Sequence, residues 1–110
     1  MNQITAQELN DRIGAGRVPF ILDVREPNES AECPIPDSLN IPLRELSRRA
    51  AEIPRDEEIV VVCTSGGRSA YATDVLTRAG HNATNLTGGT ANWQTISTNP
   101  TPPNPKDIDK

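Results

Sequence analysis

Short, mainly apolar stretches divide the first part of the chain into predicted strands. They lie at residues 20–24, 39–41, 59–62 and 83–86, and the third consists of four β-branched residues in succession. Because these stretches lack the apolar–polar alternation of a half-exposed sheet, we expect strands that are buried on both faces. Such strands are typical of a parallel sheet covered by helices, which predicts an α/β fold.

Apolar residues at helical spacing occupy the intervals between these strands. The spacing predicts helices over residues 6–13, 43–53 and 69–79, and a short helix after Gly88-Gly89. Ser69 is the expected N-cap of the third helix. Because strands and helices alternate, the carboxyl ends of the strands are the expected position of a ligand site.

Composition narrows the classes of function. The 110 residues carry 11 Lys and Arg against 15 Asp and Glu, and this net charge of −4 argues against nucleic-acid binding through a basic face. A mean hydropathy of −0.53 leaves no segment apolar enough to span a bilayer. Two cysteines and one histidine are too few for a four-ligand zinc site, so no metal is expected.

Residues 97–110 hold four of the ten prolines, which predicts a disordered tail or linker beyond a domain of residues 1–96.

A cysteine followed by a glycine loop is the strongest chemical signal. Cys63 follows the 59–62 strand directly, and Thr64-Ser65-Gly66-Gly67-Arg68 connects it to the next predicted helix. Adjacent glycines let backbone N–H groups converge, and a helix N-terminus adds partial positive charge, so the loop suits an anion such as a thiolate. Cys63 is therefore a candidate nucleophile, and the alternative is a buried structural thiol. The loop also suits a nucleotide phosphate, although it lacks the Walker lysine and spacing.

Four motifs, in order along the chain, resemble those of the rhodanese family of sulfurtransferases. They are Asp23-Val24-Arg25-Glu26-Pro27, then Ile35-Pro36 with Asn40-Ile41-Pro42-Leu43, then Cys63 to Ser69, and finally Leu86-Thr87-Gly88-Gly89 with Trp93. The resemblance implies a three-layer rhodanese-like fold, with a five-stranded parallel sheet flanked by helices. It also implies an enzyme that moves sulfane sulfur from a donor such as thiosulfate to cyanide, a thiol or a protein, through a persulfide on Cys63. The implied substrate-binding loop consists of Thr64, Ser65, Gly66, Gly67, Arg68 and Ser69.

The sequence departs from the family's pattern at two places. Cys33-Pro34 stands where the family usually has Gly-His, and we expect this second thiol to be a bystander in catalysis. Thr64 stands where thiosulfate-using members often carry a basic residue.

The length of the loop separates sulfur transfer from phosphatase chemistry. Four residues lie between Cys63 and Arg68, whereas related cysteine phosphatases have five, so a phosphatase or arsenate reductase is the less favoured alternative.

Other polar residues have simpler expected roles. Asp23 and Arg25 are expected to support the site through an ion pair that fixes the chain after a strand. Arg68 is expected to bind an anionic donor, to pair with an acid such as Asp23 or Glu26, or to do both. His81 is expected in a surface loop, while Trp93 is expected to anchor the last helix in the core.

The expected partners are a small sulfur donor and a thiol or protein acceptor, without nucleic acid, membrane or cofactor. The open alternative is a sulfur-relay or interaction module that serves one specific partner protein. The first residues lack the apolar segment of a signal peptide, which predicts a cytoplasmic location with reduced cysteines. We expect the chain to be a monomer.

Overall fold

The central sheet is assembled from five short parallel strands. They are β1 (Gln3–Ile4), β2 (Phe20–Asp23), β3 (Ser38–Asn40), β4 (Ile59–Val62) and β5 (Ala83–Leu86). Their order is β1-β5-β4-β2-β3, and all four neighbouring pairs are parallel, so the predicted fold class is confirmed. The computed structural model that gives this fold describes residues 1–97, with side chains described to residue 93. The predicted tail over 97–110, apart from its first residue, lies outside the described residues.

Helices connect the strands and cover both faces of the sheet. They are α1 (Ala6–Gly14), α2 (Pro27–Glu32), α3 (Leu46–Arg49), α4 (Gly67–Arg78) and α5 (Gly89–Ser97). α3 is flanked by the 3₁₀ turns Leu43–Glu45 and Ala50–Glu52, so the prediction of one continuous helix over 43–53 is wrong in detail. The Leu43 N–H donates to Val24 O at 3.1 Å, which ties the start of this segment to the chain after β2.

Side chains alternate across β4 and build one apolar core on each face of the sheet. Ile59 and Val61 belong to a core closed by residues of α3 and α4, with Ala72 and Leu76 among them. Val60 and Val62 belong to the other core, which contains Ile4, Ala6, Leu9, Ile21, Ile35 and Leu86. Trp93 packs against this second core, which confirms its expected role as an anchor of α5. Burial on both faces explains why β4 is apolar throughout.

Two further features of the fold differ from the sequence-based expectation. β1 is not predicted, because two residues are too few for a hydrophobic period; its main chain is fixed by the Asn85 N–H, which donates to Asn2 O at 2.9 Å. His81 is buried rather than placed in a surface loop, with only 4% of it exposed. The Ile59 N–H donates to Asn82 O at 2.8 Å, which holds the residues after α4 against the start of β4. Within residues 1–97, no helix is long and apolar enough to cross a membrane.

Candidate active site

Cys63 lies directly after β4, at the carboxyl edge of the sheet and between the neighbouring strands β2 and β5. The first turn of α5 holds its main chain from the other side. The Thr90 N–H donates to Cys63 O at 2.7 Å, and the Ala91 N–H donates to Thr64 O at 3.1 Å. The strand and the helix therefore fix the position of the thiol, which is fully buried.

Gly89 permits the close approach of α5 to the Cys63 loop. Its φ is +65°, a conformation that favours glycine. A Cβ atom at this position would overlap the carbonyl oxygens of Cys63 and Thr64. The glycine is therefore required by both its own backbone angle and the space that the loop occupies.

Backbone N–H groups converge on the sulfur of Cys63. The Sγ atom accepts from the Gly66 N–H at 3.1 Å and from the Ser69 N–H at 3.3 Å. Gly66, in the left-handed conformation with a φ of +101°, is the N-cap of α4 and has no side chain with which to cap it. The Cys63 sulfur accepts the hydrogen bond that the side chain of a capping residue would normally accept. The prediction that Ser69 is the N-cap is wrong, because the turn at Gly66 starts the helix earlier and makes Ser69 its third residue.

Burial and hydrogen bonding act in opposite directions on the pKa of Cys63. Burial disfavours the charged thiolate and raises the pKa. Hydrogen bonds from the Ser69 hydroxyl and from the N–H groups of Ser69, Gly66 and Ser65 favour the thiolate and lower the pKa. The hydrogen bonds outweigh burial, so the pKa of Cys63 lies below its ordinary value. The arrangement suits a nucleophilic sulfur.

Asn85 of β5 orients the Ser69 hydroxyl, a role that the sequence analysis missed. While Cys63 is a neutral thiol, it donates to Ser69 Oγ at 3.4 Å, and the Ser69 hydroxyl donates to Asn85 Oδ1 at 2.5 Å. When Cys63 ionises, the hydroxyl turns and donates to the sulfur, and this is the side-chain hydrogen bond that lowers the pKa of Cys63. Both Ser69 and Asn85 are buried. The available signal was an asparagine in a strand expected to be buried on both faces, since a buried amide needs hydrogen-bond partners.

Arg68 forms a two-bond ion pair with Glu29 of α2. Its Nη1 donates to Glu29 Oε1 at 2.6 Å, and its Nη2 donates to Oε2 at 2.9 Å. The expected ion pair between Arg68 and an acid is confirmed, but the acid is Glu29, because Asp23 pairs with Arg25 and Glu26 pairs with another arginine. α2 therefore places Glu29 beside the loop that follows Cys63, and we call this partly exposed region around Glu29, Thr64 and Arg68 the mouth of the site.

Glu29 has two further contacts beside its ion pair. The Glu26 N–H donates to Glu29 Oε1 at 2.9 Å, and the Thr64 hydroxyl donates to Oε2 at 3.3 Å. The Arg68 guanidinium, followed by the Glu26 N–H, lowers the pKa of Glu29 to about 2. In return, Glu29 raises the pKa of Arg68. Glu29 is not among the site residues predicted from the sequence, because its position in the first turn of α2 is one that helix capping alone explains.

The predicted ion pair between Asp23 and Arg25 is present and buried. Arg25 Nε donates to Asp23 Oδ1 and Nη2 donates to Oδ2, both at 2.9 Å. Nη2 also donates to Cys33 O at 2.8 Å, and Asn40 Nδ2 donates to the main-chain oxygens of Asp23 and Arg25. These bonds join the chain after β2 to the chain around β3, so the pair supports the framework beside the site.

The remaining loop residues differ in exposure. Thr64, Ser65 and Gly67 are exposed, while Ser69 is buried below them. Cys33 is an exposed free thiol outside this loop. In the part of the chain that the structure describes, no group of three or more His, Cys, Asp or Glu residues is arranged to hold a metal ion.

This geometry can be set beside known proteins. A model of the rhodanese-like domain matches residues 5–96. The chain belongs to the rhodanese-like family. Among its relatives in this family, a sulfurtransferase of Allochromatium vinosum is 35% identical over 94 residues, which cover 84% of this chain and 88% of that protein.

Two further proteins are similar to this chain. A solved rhodanese-related protein of Thermoplasma volcanium is 36% identical, with a TM-score of 0.79 over 86% of this chain and 92% of that one. A putative sulfur carrier protein of Bacillus subtilis, YrkF, is 32% identical over 92 residues, which cover 83% of this chain but 50% of the relative. The comparisons support the resemblance drawn from the four sequence motifs, and they place the chain among sulfurtransferases.

Proposed function

We propose that this rhodanese-like protein is a sulfurtransferase in which Cys63 carries the transferred sulfur as a persulfide. The observation that carries the proposal is the position of Cys63 Sγ, 3.1 Å from Gly66 N and 3.3 Å from Ser69 N at the start of α4. N–H groups at a helix N-terminus stabilise negative charge on sulfur, both on the thiolate and on the persulfide that replaces it. The similarity to a sulfurtransferase over most of both chains supports the same chemistry.

In the first half-reaction, the Cys63 thiolate attacks the outer sulfur of a donor such as thiosulfate. A new S–S bond forms at Cys63, the S–S bond of thiosulfate breaks, and sulfite leaves with the electron pair. The balance is Cys63–S⁻ + S–SO₃²⁻ → Cys63–S–S⁻ + SO₃²⁻, with the same total charge on both sides. No metal, organic cofactor or external electron enters this step.

In the second half-reaction, an acceptor takes the outer sulfur from Cys63. Cyanide gives thiocyanate, Cys63–S–S⁻ + CN⁻ → Cys63–S⁻ + SCN⁻, and a thiolate gives a new persulfide in the same way. The amide donors of Gly66 and Ser69 then receive the Cys63 thiolate again, which favours it as the leaving group. The cycle requires a reduced Cys63, so a reducing compartment such as the cytoplasm fits the proposal.

A sulfur-relay module is the second candidate function, and it differs only in the acceptor. The observation that favours it is the exposure of Thr64, Ser65 and Gly67, which gives the loop that follows Cys63 a surface that a partner protein can contact. The similarity to a putative sulfur carrier protein points the same way. In this second candidate function, the acceptor of the sulfur is one partner protein rather than cyanide or a small thiol.

Thiocyanate formation from thiosulfate and cyanide tests the proposed activity. Cys63→Ser should abolish it, whereas the matched control Cys33→Ser should retain it, because Cys33 lies outside the amide loop. Retained activity in Cys63→Ser would contradict the proposal, as would hydrolysis of p-nitrophenyl phosphate by the native protein without sulfur transfer. Slow thiocyanate formation by a protein that is fully loaded with sulfur would favour the relay.

A further inference from the structure

The mouth of the site has little net positive charge, although an arginine lies there. Both terminal nitrogens of Arg68 are engaged by the two carboxylate oxygens of Glu29. Glu29 also accepts from the Thr64 hydroxyl, so the same carboxylate contacts the first and the last residue of the loop between Cys63 and Ser69. The nearby Arg25 and Arg44 are paired as well, with Asp23 and Glu26 respectively.

We propose that Glu29 is a specificity-determining residue that neutralises Arg68, disfavours dianionic donors such as thiosulfate, and directs the site to sulfane donors with a single negative charge. Alkyl persulfides, R–S–S⁻, belong to this class. The inference rests on the proposed function of Cys63, since it concerns the donor used at that thiol.

The physical reason is that an ionic interaction scales with the charge of the donor. An unpaired guanidinium would attract a dianion twice as strongly as a monoanion at the same distance, and would thereby favour thiosulfate. Arg68 also interacts with the Cys63 sulfur, but Glu29 balances its charge. The N–H groups of Gly66 and Ser69, the other donors at this sulfur, act as dipoles without net charge. Since the pKa of Glu29 is about 2, the carboxylate stays ionised at neutral pH and keeps its hold on Arg68.

Two donors of nearly the same chemistry can isolate this charge effect. Thiosulfate is a dianion that releases sulfite, whereas methanethiosulfonate is a monoanion that releases methanesulfinate: Cys63–S⁻ + CH₃SO₂–S⁻ → Cys63–S–S⁻ + CH₃SO₂⁻. Because the leaving groups differ in reactivity, the informative quantity is the ratio of kcat/KM for thiosulfate to kcat/KM for methanethiosulfonate. The change in this ratio between variants reports the charge at the mouth of the site.

Three variants form a charge series. Glu29→Gln leaves Arg68 unpaired, and the ratio should rise about threefold or more. Arg68→Gln leaves Glu29 unpaired, and the ratio should fall by a similar factor. The double variant restores net neutrality, so its ratio should lie close to that of the native protein. Glu32→Gln, an exposed carboxylate on the last turn of the same helix, is the matched control and should change the ratio by less than about twofold.

The outcomes separate this inference from the proposed function. Failure of both donors to add sulfur to Cys63 in the native protein would defeat the proposed function itself. Sulfur addition with a ratio that is the same in all variants would overturn only the role of Glu29, as would an equal response to Glu32→Gln. If Glu29→Gln does not fold, the opposite shift in Arg68→Gln and its reversal in the double variant still decide the question.

Discussion

Two arginine–carboxylate pairs lie at the carboxyl edge of the sheet, and they differ mainly in their access to water. In the Asp23–Arg25 pair, the side chains are 0% and 2% exposed. In the Glu29–Arg68 pair, they are 31% and 38% exposed. Each pair is held by two direct N–H to oxygen bonds, through Nε and Nη2 of Arg25 and through Nη1 and Nη2 of Arg68.

The difference in burial separates structural from chemical roles. Removing one member of the Asp23–Arg25 pair leaves an uncompensated charge in the interior, which costs far more than the pair itself contributes. Removing one member of the Glu29–Arg68 pair leaves a charge that water can solvate. The first pair therefore holds the framework, while the second is free to set the charge that a substrate meets.

The largest effect is expected from breaking the buried pair. Arg25→Gln should lower the free energy of unfolding by about 3–5 kcal/mol, because Asp23 keeps a buried charge without a partner and Cys33 O loses its donor. Chemical denaturation at neutral pH measures this change. The control is Arg44→Gln, which removes an exposed arginine and should cost about 1 kcal/mol or less. Equal losses in the two variants would remove the distinction between the pairs.

A smaller effect, on the reactivity of the Cys63 thiol, is expected from a substitution of the neighbouring Ser69. Ser69→Ala should raise the pKa of Cys63, because it removes the hydroxyl hydrogen bond that favours the thiolate but keeps the Ser69 N–H. The rate at which iodoacetamide alkylates Cys63 at neutral pH should fall about threefold to tenfold, as expected for one lost hydrogen bond. A pH series of alkylation rates should show the midpoint moving upward. Ser47→Ala on the exposed face of α3 is the control, and an unchanged midpoint in Ser69→Ala would contradict the assigned cause.

The smallest effect is expected from the exposed pair. Because the pKa of Glu29 is about 2 in the folded protein, below its ordinary 4.5, its ionised form stabilises the fold above pH 4.5. This contribution is lost as the pH falls from 4.5 towards 2. Glu29→Gln should thus cost about 1 kcal/mol or less at neutral pH, and the difference from the native protein should shrink on acidification. A difference that grows at low pH would show that Glu29 acts through something other than its charge.

Much of the fold could be predicted because each decisive pattern is local. The β-branched residues of β4 and the apolar spacing along α1 report burial and helix position through neighbouring residues alone. Cys63 and its glycine loop could be predicted for the same reason. β1 could not, because only its pairing with β5 makes two residues a strand.

The missed parts of the site depend on residues that are distant in sequence. Glu29 lies 39 residues before Arg68, and Asn85 lies 16 residues after Ser69, so no spacing rule connects them. Their types are also ambiguous, since a glutamate in a first helical turn and an asparagine near a strand end have ordinary structural explanations. The wrong N-cap at Ser69 has a different cause. A serine before a helical pattern is the usual capping signal, whereas here Gly66 is the N-cap and the Cys63 sulfur accepts the hydrogen bond that a capping side chain would accept.

The most direct measurement of the central claim is the mass of the protein after exposure to a sulfane donor. The reduced native protein, incubated with thiosulfate or methanethiosulfonate and freed of donor, should gain the mass of one sulfur atom. Peptide mapping should locate that atom on the peptide containing Cys63, and cyanide should remove it. Cys63→Ser should gain nothing. Sulfur found only on the exposed Cys33, or an unchanged mass in a folded and fully reduced protein with both donors, would contradict Cys63 as the sulfur carrier.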